Sequence, residues 1–166
     1  MQTSYSATMG LPFPGMLADI REKVIETFAN GEASSEIAFG AAVKQKTGVG
    51  TDEQAIHPTA QGDELAGVVA HSHALATGGN LPELGTTGIK PLVPMNVVRK
   101  GALWVQIADG VSVTKGDRAH YNWNLKTWRN SASGTDTIDC TKQAVFRSTS
   151  ASGGVAILEV DFINKP

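Results

Sequence analysis

The chain is 166 residues long, 41% hydrophobic and 18% charged, with a formal net charge of −2, 18 glycines and seven prolines. This is enough chain for one domain whose core needs no staple, and the lone cysteine, Cys140, excludes both an intrachain disulfide and a Cys-rich zinc site. A near-neutral balance without a basic tract excludes the phosphate-binding footprint of a nucleic-acid partner, and no apolar run reaches the roughly 18 residues of a membrane-spanning helix.

In chain order, Met1–Gly15 is rich in Ser, Thr, Gly and Pro and carries neither the basic nor the apolar region of a signal peptide, so synthesis in a reducing cytoplasm is expected. Pro12-Phe13-Pro14-Gly15 removes two amide donors and fixes φ twice. Residues 1–18 are therefore expected as an extended N-terminal arm and residues 19–166 as a single β domain. Tyr5, Met9, Leu11, Phe13 and Met16 are more apolar groups than a solvated tail carries. The arm either folds back on its own domain or lies on a neighbouring molecule.

Asp19–Asn30 is ambiguous: Ile20, Val24, Ile25 and Phe28 fall at helical spacing, which predicts a short helix, while Val24-Ile25 and Thr27-Phe28 also suit a strand. Glu36–Lys44 alternates as one strand, with Gly40 marking a bulge or a close backbone approach. Gln54–His57 is a short strand stopped by Pro58, Leu65–His73 is another, and Ala76–Gly88 is a loop with paired breakers. Pro91 and Pro94 mark Leu92–Arg99 as an edge strand, because a central strand cannot lose two donors.

The strongest pattern runs from Arg99 to Trp123. Leu103, Val105 and Ile107 alternate with Ala102, Trp104 and Gln106, and turns follow at Asp109-Gly110 and Lys115-Gly116-Asp117. Two or three antiparallel strands joined by tight turns are expected there. Asn122–Ser133 is a polar loop carrying Trp123 and Trp128; Thr141–Ser148 and Val155–Ile163 close the chain as a strand pair. Many short strands with regular turns point to a mainly β fold, a small antiparallel barrel or a jelly-roll-like sandwich.

Chemistry-bearing residues are few. His71 and His73 share a strand face, the spacing by which cupin-type barrels present two imidazoles to one metal, with His120 as a distant third ligand; the carboxylate those barrels use is missing after His73. The alternative is a pair of strand-end histidines that hydrogen-bond or face solvent. Trp123 and Trp128 suit either a sugar-stacking platform or a core. No G-x-S-x-G elbow, phosphate loop or paired catalytic carboxylates occur. No catalytic residue, metal ligand set or cofactor site is assigned.

Five stretches in order then resemble one family: FPGMLAD, EIAFGAAVKQ, LAGVVAHSHA, NVVRKGALWVQIADGVSVTKGDRAHYN and AVFRSTSASGGVAILEVDF. Together they resemble the capsid cement, or decoration, proteins of tailed bacteriophages. That resemblance implies a virion protein made in the bacterial host cytoplasm. It would bind the outer capsid surface at symmetry axes as a dimer or trimer and clamp neighbouring major capsid proteins, with no cofactor, nucleic acid or membrane. It also implies extended chain rather than helix at Asp19–Asn30. A surface low in charge can be buried against protein at small desolvation cost. The expected capsid contacts are Tyr5, Met9, Leu11, Phe13 and Met16 on the arm, Leu81 and Leu84 in the loop 76–88, and Trp123 and Trp128 in the loop 122–133.

Overall fold

The computed structural model of the chain describes residues 12–19, 22–71 and 88–163. Among these residues there is no helix. The strands are β1 (Val24–Asn30), β2 (Ile37–Ala38), β3 (Ala42–Gln45), β4 (Gln54–Ile56), β5 (Gly67–Ala70), β6 (Gly88–Ile89), β7 (Pro94–Gln106), β8 (His120–Asn122), β9 (Thr127–Arg129), β10 (Thr137–Asp139), β11 (Ala144–Phe146) and β12 (Val155–Asp161). The main sheet has the order β1-β4-β3-β5-β7-β12-β11, and a further pairing of β1 with β7 closes its first five strands into a barrel. All its pairings are antiparallel except β1 with β4. The expectation of a small β barrel is met, and strands β10-β8-β9 form a second sheet.

The long alternating stretch becomes β7, and it is central. Its first half pairs with β1 on one edge and β5 on the other; its second half pairs with β12 along Lys100–Gln106. The opposite edge of that second half is taken by the base of the expected arm. Gly15 N donates to Trp104 O at 2.7 Å, Trp104 N to Met16 O at 2.8 Å and Ala18 N to Ala102 O at 2.9 Å, around a Leu17–Leu103 bridge. The edge-strand expectation for Leu92–Arg99 is thus corrected. Pro94 occupies the first position of β7 and Pro91 lies before it, so neither removes a donor from the interior of the ladder.

Gly15 also accepts from His71 N at 2.8 Å, just past β5, which pairs with the first half of β7. Gly15 therefore joins Trp104, in the second half of this thirteen-residue strand, to the end of β5, which lies along the first half, and this requires β7 to bend. Gly101, with φ of 141°, lies where β12 takes over from β1.

The helical expectation within Asp19–Asn30 is also corrected: Val24–Asn30 is strand, and Ile20 lies outside the described residues. Pairing with both β7 and β4 satisfies its backbone and buries Phe28 and Asn30, which outweighs a local helical pattern. The single strand expected over Glu36–Lys44 is split into β2 and β3 by a turn at Phe39-Gly40, where Gly40 has φ of 79° and a Cβ would lie 3.0 Å from Pro14 Cβ. The close approach expected at Gly40 is present. The hairpins expected within Arg99–Trp123 do not form between neighbours in sequence: Val113 bridges Ser150, and β8 pairs with β9 and β10. The loop expected over 122–133 begins as the β8–β9 hairpin, whereas β11 and β12 pair as expected.

Alternation along β5 and β7 divides the interior in two. Val69 and Val97 face the barrel core with Phe28, Val43 and Met95. Val68 and Val98 face a second core with Leu103, Tyr121, Trp128 and Phe146. Each such buried side chain contributes roughly 1.5–3 kcal/mol of transfer free energy.

Candidate functional site

Strand registers bring several chain ends to one mouth of the barrel. With β1 and β5 both antiparallel to β7, the last residues of β1 and β5 lie beside the start of β7; β3 and β4 add the start of β3 and the end of β4. That mouth carries the turns after β1, between β2 and β3, after β4 and before β7. His71 and Gly88, which flank residues 72–87, belong to it as well, because β6 pairs with β2.

A buried polar framework holds the mouth together. Asn30 is fully buried; its amide donates to Ile89 O at 2.7 Å and Ser35 O at 3.2 Å, and its Oδ1 accepts from Glu32 N at 2.9 Å. Glu32 Oε1 then accepts from the backbone N of His57 at 2.8 Å. The buried His57 ring places Nε2 3.3 Å from Glu36 O, while its Nδ1 has no hydrogen-bond partner. Burial, reinforced by the nearby Lys126 charge, lowers the His57 pKa from its ordinary 6.5, against the opposing pull of the Glu36 carbonyl and the Glu32 charge. Lys126 belongs to the turn of the β8–β9 hairpin.

The arm base is fixed beside it. Phe13 stands edge-on to His71 with ring centroids 4.7 Å apart, and Phe39 meets the same imidazole at 4.7 Å. Trp128 Nε1 donates to Gly40 O at 2.9 Å, tying β9 to the β2–β3 turn. Gly15 has φ of 85°, and a Cβ there would lie 2.7 Å from Phe39 Cβ, so only glycine lets the arm pass.

Of the contacts expected from sequence, Tyr5, Met9, Leu11, Leu81 and Leu84 lie outside the described residues. Phe13 is 38% exposed at the mouth, Met16 is half-buried beside β7, and Trp123 is half-buried against the second core. Trp128 is corrected: it is fully buried, 4.9 Å from the Tyr121 ring, and cannot offer a surface. The same burial removes the paired-tryptophan sugar platform.

His71 spends its ring on Phe13 and Phe39, His120 lies on β8 opposite Arg129 and Asp139, and His73 is outside the described residues. Among the described residues no three His, Cys, Asp or Glu side chains converge to hold a metal ion. Cys140 is fully buried, and burial pushes its thiol up to about 12. Sequence reasoning missed Asn30 and His57, whose only local signals are a polar residue ending an alternating strand and a histidine preceding Pro58. It also missed two exposed leucines, Leu92 and Leu125, which follow Pro91 and Asn124 in turn-forming context.

A family model described as structural cement protein (E217 gp24/Pam3 gp6) matches residues 1–161. Among solved structures, a chain from "The capsid of Myoviridae Phage XM1" superposes with a TM-score of 0.66 over 96% of this chain and 98% of that one, at 15% identity, a likeness of fold. No curated protein matches the sequence.

Proposed function

We propose that this chain, which belongs to the phage structural cement protein family, is a non-enzymatic component of the outer capsid surface that binds the major capsid protein and clamps neighbouring subunits. The observation that carries this reading is the match of the family model to residues 1–161, together with a β-barrel fold shared over nearly the whole of a chain from a phage capsid structure.

The contact surface is the barrel mouth. Phe13 leads there into the arm of residues 1–18, and His71 and Gly88 flank the segment with Leu81 and Leu84; Trp123, half-buried against the second core, is a further contact on the β8–β9 hairpin. Tyr5, Met9, Leu11 and Met16 complete the apolar set on the arm. Several copies, as dimers or trimers at symmetry axes, would multiply a modest affinity per contact by avidity. No cofactor is involved.

The test is co-sedimentation of purified protein with expanded shells of its capsid protein, with shell melting measured alongside. Saturable binding at a fixed ratio and a raised shell melting temperature support clamping; absence of binding to competent shells overturns it. Deleting residues 2–11, which spares Gly15 and the β7 pairing, is expected to weaken occupancy while leaving the domain's own melting unchanged.

A further inference from the structure

Two exposed leucines stand in turns that each hold a non-glycine residue at positive φ, Leu92 itself in one and Lys126, next to Leu125, in the other. Lys90-Pro91-Leu92-Val93 is a β-turn, with proline at the second position and Val93 N donating to Lys90 O at 3.2 Å. Leu92 takes the third position with φ of 63°. Proline followed by positive φ defines a type II turn, whose third position calls for glycine or asparagine. A leucine there strains the backbone, and its side chain is 73% exposed, so burial in its own domain does not compensate. The second case is the β8–β9 turn: Lys126 has φ of 59°, and the preceding Leu125 is 64% exposed, with its N donating to Asn122 Oδ1 at 2.7 Å. Leu92 and Lys126 are the only non-glycine residues with positive φ among those described.

Each turn is held by a buried asparagine. Leu92 N donates to Asn30 O at 2.8 Å, and Asn30 is fixed in turn by its bonds to Glu32, Ser35 and Ile89; Leu125 N donates to Oδ1 of the buried Asn122, on a hairpin that Trp128 Nε1 ties to Gly40 O in the β2–β3 turn at the mouth. Strained turns held in this way, each presenting an exposed apolar side chain, fit anchors set before binding. Ordering them in advance lowers the entropy lost on association.

We propose that Leu92 and Leu125 are pre-positioned anchors that enter apolar sockets on a capsid subunit; this rests on the cement reading above. Leucine is kept at Leu92 for the partner, at the expense of the turn. The test uses the full chain, its melting temperature, and titration onto expanded shells of the capsid protein. Leu92→Gly is expected to melt at or above the wild-type temperature while binding shells about tenfold more weakly, the scale of a buried interface anchor. Leu125→Ser is expected to weaken binding similarly with unchanged melting, and Leu92→Met to restore binding.

Wild-type binding to shells in both Leu92→Gly and Leu125→Ser would overturn the anchors and leave the cement reading standing. A Leu92→Gly protein that melts several degrees lower would show that the side chain serves its own domain, and would also overturn them. Self-association without shells that disappears in Leu92→Gly would assign the surface to a second copy instead. A wild-type protein that fails to bind competent shells would remove the cement reading, and the anchors with it.

Discussion

The two cores that share β5 and β7 differ in kind. The second core gathers Tyr121, Trp128, Phe146 and Phe162 around aliphatic side chains from β7, β11 and β12. Among the described residues the barrel core has Phe28 as its one buried aromatic, and its mouth is closed by the buried polar residues Asn30 and His57. Apolar burial is non-directional and tolerant, whereas buried hydrogen bonds such as the three made by Asn30 are directional and fix the geometry of the mouth. The second core, the larger apolar cluster, is therefore expected to carry the larger share of hydrophobic stabilisation, and the barrel mouth to present a defined surface.

Trp128→Ala is the most direct way to break this division. It removes the largest buried side chain of the second core and leaves Gly40 O without its donor. A loss of about 3–5 kcal/mol is expected in denaturant unfolding, with both cores still melting together because β5 and β7 form a wall of each. Two separate transitions would show that the cores are independent.

Gly67→Ala acts on the shared wall. A Cβ there would lie 2.5 Å from Val98 O and 2.6 Å from Val97 Cγ1, so β5 and β7 must part. The expected loss is about 1–3 kcal/mol, the usual cost of overpacking, read as a lower denaturation midpoint.

Asn30→Ala strips the mouth of three hydrogen bonds and is expected to cost about 2 kcal/mol. Amide exchange should accelerate around Glu32, Ile89 and Leu92 while β11 and β12 keep their protection. Uniform acceleration would contradict a locally framed mouth.

His57 gives a smaller, pH-dependent effect. Its folded-state pKa lies below 6.5, so below about that pH the unfolded chain binds the proton more readily than the folded one. The His57 contribution is present above pH 6.5 and is lost as pH falls from there through the folded value. His57→Gln is expected to lose less stability than wild type between neutral and mildly acidic pH, compared by thermal melts. Equal losses would mean that the mouth does not sense the ring's charge.

Cys140 gives the smallest effect: with its thiol buried and pushed up to about 12, iodoacetamide at neutral pH should label it only after unfolding.

The sequence by itself determined the class of fold and which faces of the strands are apolar. Leu103, Val105 and Ile107, and Ala156, Leu158 and Val160, are buried as their alternation requires, because a strand's side chains change face at every residue whatever it pairs with. Five ordered motifs carried the family. Of the contact residues expected from sequence, Phe13 stands exposed at the mouth, while Trp128 proved to be core because the partner of its indole N–H, Gly40, is 88 residues distant.

Only the tertiary structure decided the pairings. Val24–Asn30 is a strand because β7 and β4 receive its hydrogen bonds, and the segment after Pro91 is central because β1 and β5 arrive on both its edges. The mouth exists only once five strand ends meet. Alternation is a local property of the chain, whereas hydrogen-bond partners, bends such as that in β7, and strained turns such as Leu92 are set by contacts between residues far apart in sequence.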